Sequence, residues 1–434
     1  TYDFSHITGA LWMGDPGLNG IGAVVDVING NINPSGHTVD TFASSLMNAP
    51  ANQNFGSYTY SNANNIGYLD EEHFVQYEEG IYVGYRYYET AYAEALAGNY
   101  AGFDYNTEVV YPFGYGLSYT TFDMEYDGTP SYDESTNEFT FNVRVTNTGD
   151  VAGKQVVEIF AHQPYTYGGI EKSEVLLAGY AKTSLLEAGE SETVTITLNR
   201  DYLCSYDAEE NQSYVLEAGD YNFYVSENAH SWASIDVADT TKCYTYTLDH
   251  TLIYNDANDG ARTTDLVTAE NQFDEMKDGM SDTVMSRSDF AGTFPASPTA
   301  EDCVASDAVL ENLKTFDLAS ADDSAEQIPW TDSTDTTYTL ADMRGLDYND
   351  EKWQYFIEQF SAESLANMYR NGGWIENADA DNGVPVSYDI DGPAGLTANT
   401  IPLDNTYGDN GSNAYQESIM IAASWNLDCA RETG

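Results

Sequence analysis

The sequence predicts a multidomain chain of mixed class: α/β at its start, an all-β sandwich in the middle and a helix-rich α/β segment at its end. Three observations lead there. The length of 434 residues suits about three domains. A hydrophobic period of two sets in from about Tyr119, and a helical period returns from Trp353. With 42% hydrophobic residues the chain can fill several cores, so global disorder is not expected.

At the start, Ala10-Leu11-Trp12-Met13 reads as a short buried strand closed by Gly14-Asp15-Pro16-Gly17. A helix follows with Ala23, Val24, Val27 and Ile28 on one face, stopped by Asn29-Gly30. Asn33-Pro34-Ser35-Gly36 is a turn, Asn52 to Asn65 a polar surface loop, and Tyr111 to Gly116 a compact aromatic–glycine corner. In the middle, Phe139, Phe141, Val143 and Val145 alternate with polar residues, as do Val194, Ile196 and Leu198. Val156 to Phe160 is a more continuous run, and Tyr221, Phe223 and Val225 follow an Ala218-Gly219-Asp220 turn. Short strands with regular turn signals predict the sandwich. Residues 251–345, rich in Asp, Ser, Thr and Ala, read as an extended linker with little structure of its own. Beyond it, Trp353, Phe356, Ile357 and Phe360, then Leu365, Met368 and Tyr369, mark two helices, the second capped by Ser361 and ended by Gly372-Gly373.

Charge narrows the function classes. The 71 Asp+Glu against 15 Lys+Arg leave a net charge of −56, which repels phosphate backbones and anionic lipid. Neither nucleic acid nor a membrane is an expected partner, and no run approaches the roughly 20 apolar residues of a spanning helix. Thr1-Tyr2-Asp3-Phe4 has no basic leader region, so a signal peptide reads as absent or already removed. Cys204, Cys243, Cys303 and Cys429 stand too far apart for a zinc or redox motif; Cys204 and Cys243 could bridge within the β domain or remain buried thiols. No metal or cofactor is expected, and oligomeric state stays open, a homo-oligomer included. Thirty-five Tyr suit an extracellular protein that meets hydroxyl-bearing ligands such as sugars, since tyrosine joins an apolar face to a polar tip.

Several motifs have ordinary readings. Gly14, Gly17, Gly20 and Gly22 lack the order of a dinucleotide or phosphate loop and read as a tight turn. Asp256 to Gly260 and Asp379 to Gly383 resemble calcium loops without the complete ligand spacing, so they read as solvated acidic loops. Arg86 reads as a structural stacking or pairing residue, and Trp12 and Trp425 as core residues. Asp391 stands out: a carboxylate in a Gly/Pro-constrained loop directly after the strand-like Val384 to Ile390.

Together these motifs resemble family-three glycoside hydrolases of the β-glucosidase and β-xylosidase type. Leu11 to Gly17 followed by Gly30 to Gly36, Glu79 to Tyr88, and Pro112 to Tyr119 are similar to the later part of that family's α/β-sandwich domain, taken here as residues 1–118. Val145 to Gly153 and Ala188 to Ser191 resemble its fibronectin-III-like domain, taken as 119–250. Asp391 to Leu396 and Ala422 to Asn426 resemble the start of its (β/α)₈ barrel, taken as 346–434. The order is reversed relative to most members, and the chain looks like a piece of an enzyme.

The resemblance implies retaining hydrolysis of terminal non-reducing β-D-glucosyl or xylosyl residues of oligosaccharides. It implies that the nucleophile Asp and the acid/base Glu lie outside this chain, and that Asp391 binds substrate hydroxyls. A non-catalytic extracellular carbohydrate-binding or structural protein, built from the same domains, is the alternative expectation.

Overall fold

The protein is described from a computed structural model. It covers residues 6, 8–17, 19–63, 72–266, 284–313, 337–369, 375–388 and 416–433. The chain divides into two compact units, one of residues 22–316 with 419–434 and one of 1–21 with 317–418.

In the first unit, α1 (Ile21–Ile28) leads into β1 (Phe42–Ala43), α2 (Pro50–Gln53), β2 (Tyr58–Thr59) and β3 (His73–Phe74). Then come α3 (Tyr85–Ala97), α4 (Tyr105–Glu108) and β4 (Val109–Tyr111). β1 pairs antiparallel with β4, and β2 with β3. The expected helix is thus present, ending at Gly30 in the left-handed region. β2 lies inside the stretch expected to be only a polar loop. α3 ends at Gly98, which is also left-handed and donates its N–H to the carbonyls of Glu94 and Ala95.

The sandwich contains β5 (Phe122–Tyr126), β6 (Ser131–Asp133), β7 (Glu138–Asn147), β8 (Val156–His162), β9 (Leu176–Lys182) and β10 (Ser191–Asn199). It continues with β11 (Ser205–Asp207), β12 (Ser213–Leu216), β13 (Gly219–Ser226), β14 (Cys243–Leu248) and β15 (Leu252–Tyr254). One sheet has the order β10-β7-β5, with β6 also on β7; the facing sheet runs β14-β13-β8-β9. Phe139, Phe141, Val143 and Val145 from β7 meet Val157 and Ile159 from β8 and Phe223 and Val225 from β13 in one core. Alternation put these residues on one face, so burial follows directly from the pattern. A small third sheet, β11-β12-β15, extends past residue 250 into the segment read as linker, because Leu252–Tyr254 pairs with Tyr214–Leu216. Cys204 and Cys243 are separate thiols.

β8 is buried on both faces. Its odd residues enter the sandwich core, and its even residues Glu158 and Phe160 face the α/β segment. There Phe160 packs against Tyr85 and Phe113, with Tyr85 and Phe113 ring centroids 4.7 Å apart. The seam is also hydrogen-bonded: Ala229 N–H donates to the Phe113 carbonyl at 2.8 Å, and Leu177 N–H to the Tyr85 hydroxyl at 3.1 Å. At the chain's end, α8 (Ser418–Ala423) and α9 (Leu427–Thr433) flank Trp425. Trp425 takes a left-handed φ of 50°, packs edge-on to Phe113 and Tyr180, and donates its indole N–H to the His37 carbonyl. It is a core residue, as its sequence context implied.

In the second unit, α5 (Asp307–Asn312) having closed the first, α6 (Glu351–Glu358) and α7 (Ala362–Tyr369) carry the expected apolar faces. Phe356, Phe360 and Met343 form their core with Trp353, Leu365, Met368 and Val384 around it. β16 (Ile375–Glu376) pairs antiparallel with β17 (Ser387–Tyr388). Leu11 to Met13 depart from expectation. They form no strand, and Leu11 and Trp12 are 45% and 43% exposed. An apolar run becomes a buried strand only beside a partner strand, and none of the described strands pairs with this one.

The aromatic–glycine corner explains its own glycine. Gly114 has φ 82°, and a Cβ there would stand 2.2 Å from a Glu158 carboxylate oxygen. Gly114→Ala therefore combines a left-handed penalty with overpacking, and urea unfolding should show a loss of about 2–5 kcal/mol. An unchanged midpoint would mean that the corner does not press on β8.

Candidate functional site

Among the sequence-derived site residues, Asp391 lies outside the described residues. The chain leading to it is described as far as Tyr388. α6 and α7 build the base, and Asp379 and Val384 bridge to each other across the loop before β17. Asp379 accepts from the Ser364 hydroxyl and from the Asn382 N–H at 3.1 Å, and the first of these above all holds its carboxyl below the usual range. Asp259 likewise accepts the Ile253 N–H at 2.7 Å. Both acidic loops thus spend a carboxylate on local backbone rather than presenting it to a ligand.

Beside α6 lies an open hollow lined by Tyr348, Asp350, Trp353, Gln354 and Ile357, with Tyr348 91% exposed. An exposed phenol ring beside amide and carboxylate groups offers stacking and hydrogen bonding together.

Arg86 sits half-buried on α3. Its carbonyl accepts from Thr90 Oγ1 at 2.6 Å, and among the described residues no carboxylate forms an ion pair with it. A cation that does organise buried carboxylates is Arg287, within the stretch read as an extended linker. Its Nε donates to Glu94 Oε1 at 2.7 Å, its Nη2 pairs with Glu174, and its guanidinium lies 4.5 Å from the Tyr165 ring centroid. Glu171 accepts the Arg287 backbone N–H at 3.0 Å and the Ser286 hydroxyl at 2.6 Å. Glu94 also accepts from Tyr167 and Asn99. Burial alone would raise the Glu174 carboxyl, but His162 and Arg287 outweigh it and bring it down to about 2.

A second carboxylate serves the other side of α3. Glu89 is fully buried and accepts from the Tyr105 hydroxyl at 2.6 Å, His230 Nδ1 at 2.8 Å and the Trp232 indole N–H at 3.0 Å. The His230 and Tyr105 rings stack at 3.7 Å. The sequence signal for Glu89 and Glu94 was faint: two acids embedded in the Tyr- and Ala-rich α3, whose partners lie far along the chain. All of these carboxylates hold the protein together, and none of them presents two free oxygens to solvent.

Known proteins resemble this chain through most of its length. Residues 155–229 match the fibronectin type III-like domain, which falls within the β-sandwich. Beta-glucosidase A of Butyrivibrio fibrisolvens is 29% identical over 453 aligned residues, covering 98% of this chain and 47% of the relative. A Ruminococcus albus β-glucosidase is 30% identical across 56% of this chain and 22% of its own length. A solved β-glucosidase from Paenibacillus barengoltzii shares the fold with a TM-score of 0.60 at 23% identity, over 96% of this chain and 40% of that one.

The class is therefore a mixed α/β and β-sandwich protein carrying a fibronectin type III-like domain. Within that class, the chain is similar to β-glucosidases of the family-three type through nearly all of its residues. It spans about half the length of Beta-glucosidase A and less of the other relative.

Removing Arg287 takes the cation away from the buried Glu94 and the partly buried Glu174. Arg287→Met should cost about 3–5 kcal/mol at pH 7 by urea unfolding. Glu174 is depressed by its partners, so its contribution is present above its ordinary value of 4.5 and is lost as pH falls toward 2. The deficit of the variant should shrink between pH 5 and pH 3; a deficit independent of pH would show that Arg287 acts through packing alone.

Proposed function

We propose that this chain is part of a retaining β-glycosidase that removes terminal non-reducing β-D-glucosyl residues from oligosaccharides, with xylosyl residues as the finer alternative. The observation that carries this reading is one continuous alignment with a β-glucosidase through 98% of the chain. In such chemistry one carboxylate attacks the anomeric carbon while another protonates the leaving oxygen and later activates water. The pair stands about 5–5.5 Å apart so that a covalent glycosyl-enzyme can form. Neither of those two carboxylates is assigned to a residue of this chain.

The part assigned here is positioning. Asp391 accepts hydrogen bonds from sugar hydroxyls remote from the scissile bond, and such charge-assisted bonds contribute about 1.5–3 kcal/mol each. Asp391→Ala in the native protein should lower kcat/KM on a chromogenic β-glucoside by about 10- to 150-fold. The melting temperature should stay within a degree or so of the unmodified protein, because the proposed role of the residue is in binding substrate rather than in folding. Unaltered kinetics would remove Asp391 from the sugar site.

A further inference from the structure

The seam between β8 and the α/β segment holds a group that no contact described so far explains. Glu158 lies mid-strand, with none of its surface exposed. Among the described residues neither carboxylate oxygen has a hydrogen-bond partner. Its neighbours are a backbone and a ring: the Gly114 main chain presses against the carboxylate, and His37 Nδ1 stands 3.9 Å away. His37 does not serve as its counter-charge. That nitrogen lies 2.6 Å from the Gly114 carbonyl and so donates its proton there rather than to Glu158. Lys182, whose charge acts on His37, is engaged elsewhere too, for its Nζ donates to the carbonyls of Ser35 and Ser424 at 2.7 and 2.6 Å. An ionised carboxylate sealed in such a place, with no donor and no cation, is strongly disfavoured.

We propose that Glu158 is a proton-operated lock of this seam: the α/β segment closes onto β8 around the neutral acid, and ionisation of that acid drives the seam open. The packing supports both halves. Gly114 must lack a side chain for the corner to reach β8, and the Trp425 turn closes over His37 from the other side. The neutral acid fits this enclosure, while the anion requires solvent that only separation admits.

The titratable neighbours bear the opposite sign, which makes the lock measurable. Burial raises the Glu158 carboxyl well above its ordinary 4.5. Its contribution is therefore complete below 4.5 and is lost as pH rises through the folded value. Burial lowers His37 to about 4, against its bond to the Gly114 carbonyl and with help from Lys182. Burial and Lys154 lower Lys182 to about 8, with Cys429 opposing. Depressed bases lose stability as pH falls, so neither His37 nor Lys182 can open the seam on the alkaline side.

The test is hydrogen exchange of peptides spanning 110–118 and 155–162 from pH 5 to 8.5, compared between the protein and Glu158→Gln. Gln keeps the shape and stays neutral. The ratio of seam opening in the unmodified protein to that in the variant should rise by about tenfold per pH unit and then level off at the folded value. Glu158→Met, apolar and of similar length, should track the Gln variant. Parallel profiles for the unmodified protein and the variant would overturn the lock. So would opening that decreases with pH in the unmodified protein, or a Gln variant that fails to fold, since a neutral side chain of that shape must fit.

Discussion

The burial of β8 on both faces is the constraint that organises the larger unit. A strand in a sandwich ordinarily keeps one face for water. Here Phe160 is covered by Tyr85 and Phe113, and Glu158 by the Gly114 corner and His37, so two segments of different class share one strand. Much else follows from that sharing. Gly114 must be glycine, Trp425 is held in a backbone region that bulky residues avoid, and Lys182 is drawn to main-chain carbonyls.

A chain with so few cations places each buried one with consequence. Fifteen basic residues face 71 acidic ones. Arg287 gathers Glu94 and Glu174 where repulsion would otherwise dominate, and Glu89 is satisfied by the Tyr105 hydroxyl, the His230 imidazole and the Trp232 indole instead. The two solutions differ physically. A cation repays desolvation by Coulomb attraction, whereas hydroxyl and indole donors solvate a carboxylate without adding charge. Both occupy carboxylates that a search for paired acids in sequence would have offered as candidates for catalysis.

Local pattern carried much of the fold. The period of two marked β7 and β10, the glycine after Asn29 ended α1, and the helical period marked α6 and α7. These features are legible because each depends on residues within a few positions of one another. Pattern failed where a partner was needed: Leu11 to Met13 have the composition of a strand and join no ladder among the described residues, and β15 lies in a stretch whose composition read as linker.

The sequence by itself determined the class of the domains and the resemblance to β-glucosidases, because strand alternation, turn glycines and contiguous motifs are local. Only the tertiary structure decided the roles of the charges. Glu158 reads in sequence as a polar interruption of an apolar run, and becomes a sealed acid because His37 and Gly114 close around it from two separate segments. Arg287 acquires its role from glutamates more than 100 residues away in the chain. A charge's state depends on which groups and how much water surround it, and that is settled by long-range packing, which no local period encodes.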